Sequence, residues 1–145
     1  MVNLIVGKKK AYQVKNIPSN VSKPDILFAV RQNKITSNYI EHLKVMSGLT
    51  DELLSTSLNL NIKTFRSYKL KSAPIKPYLQ EHVFTLLALF KHGIEFFGTS
   101  SKFAEWLQKE NYFFDNDKPL HFLNTISGIR FTDERLTAME FGDNV

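Results

Sequence analysis

The stretch "YLQEHVFTLLALFKHGIEFF", Tyr78 to Phe97, decides the fold. Its residues Leu79, Val83, Leu86, Leu87, Phe90, Ile94 and Phe97 recur at the i, i+3, i+4, i+7 spacing of one helical face. Phe84, Leu89 and Phe96 lie outside that stripe, so the spacing predicts a long helix covered on more than one side, the central beam of an all-α fold. Its greasiest run, Val83 to Phe90, is far shorter than the roughly 20 residues a membrane-spanning helix needs.

On the N-terminal side of the beam stands "KSAPIKPYLQ", with Pro74 and Pro77 close together. A proline pushes the residue before it out of helical geometry, which makes this segment the expected boundary between a module at residues 25–77 and another at 78–145. Before the boundary runs "LTDELLSTSLNLNIKTFRSYK", Leu49 to Lys69. Thr50 suits an N-cap, Asp51 and Glu52 complement the dipole of a first turn, and Leu53, Leu54 and Leu58 supply a buried face. Asn59 tolerates the left-handed turn that follows, and Asn61 caps a second short helix anchored by Phe65. Ile26, Leu27 and Val30, joined by Ile35, make an earlier apolar face, and Ile40, Leu43, Val45 and Met46 make another before Gly48 stops it. Residues 1–24 form an extension without sustained period, containing the loop-like "NIPSNVSKP".

Past the beam, Gly98 ends the helix, and Thr99 or Ser100 caps the next one, whose Phe103, Trp106 and Leu107 share a face. At that spacing Trp106 and Leu107 are expected to be core, pinning their helix to the beam. A loop leads to a short helix from Pro119, stopped by Gly128, and Thr132 opens a last helix with Leu136 and Met139 facing inward. The intervening "GIRFT" allows one short strand near Ile129–Phe131.

Chemistry is mostly excluded. The chain has no cysteine, which removes disulfides, thiolate catalysis and Cys-ligated zinc. His42, His82, His92 and His121 are scattered, and His82 and His92 would stand about 15 Å apart along the beam, too far to share a metal. Asp115 and Asp117 lack surroundings that would split their pKa values. "VGKKK" is not a phosphate-binding loop, and there is no Gly-x-Ser-x-Gly elbow. No catalytic residue, metal site or cofactor is expected, and the chain reads as a non-enzyme. The lysines of "MVNLIVGKKK" follow rather than precede a short apolar run, the reverse of a secretory signal, so a cytoplasmic location is expected.

Charge is divided. Residues 1–77 carry 13 Lys+Arg against 4 Asp+Glu, and residues 78–145 carry 6 against 10. A basic half meets a polyanion, or else solvates a tail. The pattern at residues 50–69 is that of a helix-turn-helix, whose second helix enters the major groove. Its expected DNA-facing residues are Asn61, Lys63, Thr64, Arg66 and Ser67, with Lys69 and Lys71 beside phosphates. Lys8, Lys9 and Lys10 are either a phosphate-binding arm or a solubilising tail.

The ordered series Phe97-Gly98, Trp106-Leu107, Asn111, Pro119-Leu120-x-x-Leu123, Gly128, Leu136 and Gly142, closing on "LTAMEFG", resembles the C-terminal toxin-binding domain of the Xre/ParS/MbcA antitoxins. Upstream, Thr64 and Phe65 match the Thr-Leu positions of that family's helix-turn-helix, so the resemblance covers residues 35–142. It implies an all-helical homodimer that neutralises a cognate toxin through residues 78–145 and represses its own operon by binding operator DNA. The usual toxin is a RES-domain protein that consumes NAD, so catalysis would belong to the partner. The toxin-facing residues it implies here are Asn111, Pro119, Leu120, Arg130, Glu140, Phe141, Gly142, Asp143 and Asn144, supported by Phe65, Trp106, Leu107, Leu123 and Leu136 as structural residues. Two positions depart from the pattern: Asn59 replaces the turn glycine, and Ile62 stands where relatives carry a polar or basic residue. The alternative reading is a stand-alone helix-turn-helix regulator whose C-terminal part only dimerises.

Overall fold

The computed structural model describes residues 2–4, 12–14, 17–21 and 24–142. Lys8, Lys9, Lys10, Asp143 and Asn144 lie outside the described residues. Among those described, the fold is all-α: α1 (Pro24–Arg31), α2 (Asn38–Ser47), α3 (Asp51–Ser57), α4 (Ile62–Leu70), α5 (Pro77–Phe97), α6 (Ser100–Leu107) and α7 (Ile126–Glu140). Two 3-10 turns, Tyr112–Phe114 and Pro119–Phe122, link α6 to α7.

The expected beam is α5. Val83, Leu86, Leu87, Ala88, Leu89 and Phe90 are all fully buried, so five successive residues from Leu86 contact protein whichever way they point. A helix apolar on every side must be wrapped. Here α1, α2, α6 and α7 wrap it. Pro77 opens it at the first turn, where no N–H partner is lost, and Gly98 closes it at φ 92. The core is one cluster that crosses the Pro74–Pro77 segment, joining Ile35, Leu54 and Phe65 to Leu107, Leu123 and Leu136.

The local reading of α3 and α4 is matched in detail. The Thr50 hydroxyl accepts from Leu53 N at 3.2 Å, Asn61 Oδ1 accepts from Lys63 N at 2.8 Å, and Asn59 turns at φ 56. Leu54, Leu58 and Phe65 are buried and Leu53 is half-buried, whereas Leu27 of the apolar face expected for α1 and Val45 of that expected before Gly48 are 57% and 43% exposed.

Three expectations are corrected. There is no strand near Ile129–Phe131 and no stop at Gly128: both lie within α7. Thr125, not Thr132, caps this helix, its hydroxyl accepting from Gly128 N at 2.9 Å, and the Thr132 hydroxyl donates back to the Gly128 carbonyl inside the helix at 2.8 Å. Gly128 is needed for space, since a Cβ there would fall on the Phe122 carbonyl. Strand structure occurs instead in the extension, where β1 (Val2–Leu4) and β2 (Tyr12–Val14) pair antiparallel, Asn3 opposite Gln13. Ile17 and Val21 of the extension are buried in the core, and Lys91 Nζ donates to the Ile17 carbonyl at 2.7 Å.

The two tight glycines should differ in cost. A Cβ at Gly93 meets the Phe103 side chain, while a Cβ at Gly128 meets backbone, which has less room to give. Gly93→Ala is expected to cost about 1–3 kcal/mol and Gly128→Ala more than about 3 kcal/mol, read as shifts in urea midpoint. Equal midpoints for the two variants would contradict this packing.

Candidate functional site

The exposed side of α4 carries Asn61, Lys63, Thr64, Arg66 and Ser67, with Lys71 just beyond the helix end. Only part of that set is unengaged chemically. Asn61 is the helix cap, and the Ser67 hydroxyl donates to the Thr64 carbonyl at 2.8 Å. Arg66 Nε donates to Asp51 at 3.1 Å and Arg66 Nη2 to Glu52 at 3.3 Å, while Lys69 Nζ reaches Asp51 at 2.7 Å. Lys44 Nζ joins the same carboxylate at 3.4 Å. The hydrogen bond from Lys69, with those from Arg66 and Lys44, draws the Asp51 carboxyl down to about 2, against the desolvation of partial burial. Asp51 therefore stays ionised and draws three cations together at the start of α3. Burying a side chain like Phe65 is worth about 1.5–3 kcal/mol, whereas an exposed pair such as Arg66–Glu52 is worth about 0.2–1 kcal/mol. Packing holds α4 in place, and the ion pairs set where its charge points.

The second candidate surface begins from an aromatic stack. Trp106 lies 5.7 Å from Phe97, 6.1 Å from Phe103 and 5.9 Å from Phe114, all centroid to centroid. Phe114 in turn meets Phe122 at 5.1 Å and Phe131 at 5.0 Å. Trp106, Leu107, Leu123 and Leu136 are buried as their spacing predicts. Asn111 organises the loop beyond α6: its Oδ1 accepts from Phe113 N at 2.9 Å, its N–H donates to the Asp117 carbonyl, and its own carbonyl accepts from Asn116 N. Asp115 and Asn116 complete the loop with φ 58 and 61. Pro119 and Leu120 are buried under it, with Leu120 also lining a cleft of about 310 Å³ against Leu53, Thr56 and Ser57 of α3. Arg130, Glu140, Phe141 and Gly142 are exposed, Phe141 at 88%. Near the loop, Tyr112 stands 80% exposed, and the Arg135 guanidinium covers the Phe113 ring at 3.6 Å.

His92, read in the sequence as an isolated histidine, is the anchor of this end of the molecule. Its Nδ1 pairs with Asp133 Oδ1 at 2.6 Å, and its Nε2 pairs with Glu140 Oε1. Asp133 and Glu140 are seven apart on α7, two turns along one face, so one ring of α5 receives both carboxylates. The Asp133 hydrogen bond, then that to Glu140, raises the His92 pKa to about 9 against the effect of burial. Both ring nitrogens donate, and the ring is an imidazolium at neutral pH. The signal for it in the sequence was the seven-residue carboxylate spacing, which means nothing until α7 is known to start at Ile126. The other buried histidines behave oppositely: burial lowers His42 to about 4 and pushes His82 down, with His82 Nε2 bonded to the Leu123 carbonyl at 2.9 Å. Among the described residues, no group of three His, Cys, Asp or Glu side chains is arranged to hold a metal ion.

A proton held more tightly in the folded than in the unfolded chain stabilises the fold below the unfolded pKa, ordinarily about 6.5 for histidine, and that stability is lost as pH rises through the folded value. The difference in unfolding midpoint between the native chain and His92→Gln should be constant below pH 6.5 and shrink as pH rises through 9. A difference that does not change between pH 6 and 10 would show that the ring is uncharged in the fold.

Among the described residues, no helix is long and apolar enough to cross a membrane. No curated protein matches the chain. A family model described as the antitoxin Xre/MbcA/ParS C-terminal toxin-binding domain matches residues 92–142. The match begins at His92 in the last turns of α5 and takes in α6, both 3-10 turns and all of α7. Over this stretch, which holds the aromatic stack and the His92 clamp, the chain is similar to the toxin-binding domain of an antitoxin family.

Proposed function

We propose that the chain is an antitoxin of a type II toxin–antitoxin pair, which binds and neutralises a cognate toxin through residues 78–145. The observation that carries this reading is the match of residues 92–142 to a toxin-binding domain, over a segment whose helices end in an exposed aromatic residue. A surface built for a partner concentrates aromatic and arginine side chains on a rigid support. Tyr112, Phe131, Arg135 and Phe141 meet that description, and the stack of Trp106 and Phe114 supports Phe131 from beneath. The His92 clamp fixes the last turn of α7, and with it the direction in which Phe141 and Gly142 leave the domain.

The toxin is proposed to be a RES-domain protein that consumes NAD, on the strength of the family resemblance, with neutralisation by steric cover of its cleft. The enzyme chemistry then lies wholly with the partner. The α3–α4 unit is proposed to bind operator DNA and repress the antitoxin's own operon, working as a homodimer. Its capped helix–turn–helix geometry and the carboxylate-free sequence from Leu53 to Gln80 support this reading.

Co-expression with the product of the adjacent reading frame tests the antitoxin reading. Growth should be rescued and the two proteins should co-purify; no complex and no rescue would sink it. Phe141→Asp should weaken the complex by more than about 1 kcal/mol, roughly fivefold or more, without lowering the melting temperature of the free protein. Undiminished affinity would remove Phe141 from the interface.

A further inference from the structure

The α1–α2 turn is zipped to the segment between α4 and α5. Thr36 and Pro74 form an antiparallel bridge, Ser37 N donates to the Ala73 carbonyl at 2.9 Å, and the Ser37 hydroxyl bonds the Lys71 carbonyl at 3.0 Å and Ala73 N at 2.7 Å. Further along, one side-chain nitrogen of Gln80 joins Asn33 Oδ1 at 2.6 Å and the Ile75 carbonyl at 2.9 Å. Ile35 and Ile75 are buried beneath the seam, so its backbone is fixed on both sides.

This rigid seam displays cations. Lys34 stands two residues before Thr36 and Lys76 two after Pro74, positions that an antiparallel register sets opposite each other. Arg31 at the end of α1 and Lys71 at the end of α4 are the next cations along the two segments, and all four residues are exposed. Among the described residues none of the four stands in an ion pair. No carboxylate occurs in residues 26–40 or 53–80, the two stretches that meet here. Like charges facing each other across a strand pair are unfavourable, and among the described residues no ion pair offsets these cations. The contrast with α4 is direct: Arg66 and Lys69 are already paired with Asp51 and Glu52.

We propose that this seam of Arg31, Lys34, Lys71 and Lys76 is a binding surface for the phosphate backbone of duplex DNA, and that it carries the affinity expected of the charged residues of α4. The proposal rests on the reading of α3–α4 as a DNA-binding unit. A duplex offers a regular line of charge, about one per 1.7 Å of its axis, which suits several cations held on one frame. An acidic protein would also satisfy the charge, but α4 runs directly into Lys71, which makes the seam continuous with the C-terminal end of that helix. Seam cations grip phosphates whatever the sequence, and α4 is left to meet base edges.

The test uses the full chain and a duplex, with affinity measured over a salt series. Each phosphate contact removed lowers the magnitude of the log–log salt slope by about 0.9. Lys34→Gln/Lys76→Gln should lower it by about 1.8, and adding Arg31→Gln and Lys71→Gln by about 3.6 in total. Arg66→Gln should leave it nearly unchanged. Lys34→Arg/Lys76→Arg should keep the native slope, which separates lost charge from damaged fold. A slope unaffected by the seam variants but reduced by Arg66→Gln overturns the proposal and leaves the DNA-binding reading standing. A native chain with no salt-dependent affinity for the duplex overturns both. Loss of toxin affinity rather than DNA affinity in the glutamine variants would make the seam a protein interface and also overturn the proposal.

Discussion

Everything in this chain is arranged around the need to keep α5 out of water. The middle of this helix, with Leu86, Leu87, Ala88, Leu89 and Phe90 fully buried in succession, has no face to offer solvent. The wrapping elements come from both sides in sequence, with α1 and α2 arriving before the beam and α6 and α7 after it. The two halves therefore differ in charge but share a core, and neither buries its apolar surface without the other. Even residues of the N-terminal extension, Ile17 and Val21, are used to close it.

On that shared core the two ends are finished by opposite electrostatic devices. At the start of α3 one carboxylate, Asp51, collects Lys44, Arg66 and Lys69. At the end of α7 one imidazolium, His92, collects Asp133 and Glu140. In each case a single partly buried charge is surrounded by several of the other sign, which keeps it ionised and stops the neighbouring helix from drifting. The outcomes for the surface differ. Asp51 withdraws cations from the helix that would read DNA, whereas the His92 clamp steadies a terminus whose exposed Phe141 is turned outward.

Much of the fold was legible because its signals are local. The beam, its closing Gly98, the caps at Thr50 and Asn61, and the left-handed Asn59 depend on residues within a turn of each other, and of the two caps open to α6, Thr99 or Ser100, the structure uses Thr99. Trp106, Leu107, Leu123, Leu136 and Phe65 followed from helical spacing. The misreading of α7 has the same origin. Gly128 looks like a stop in isolation, and only the approach of the Phe122 carbonyl explains why a glycine sits in the first turn of a helix. Among candidate site residues, the burial of Pro119 and Leu120 and the pairing of Arg66 and Lys69 were hidden, because each depends on what another element brings near.

By itself the sequence determined the helical class, the central helix, the placement of most caps and turns, and the division of charge between the halves, since periodicity and capping are short-range effects of backbone geometry and side-chain shape. Only the tertiary structure decided which charges are spent internally and which remain outside. Electrostatic partnership depends on contact within hydrogen-bond reach between residues 15 to 48 positions apart, as with Arg66 and Asp51 or His92 and Glu140. No local pattern encodes such distances. They are set by how α5 is wrapped.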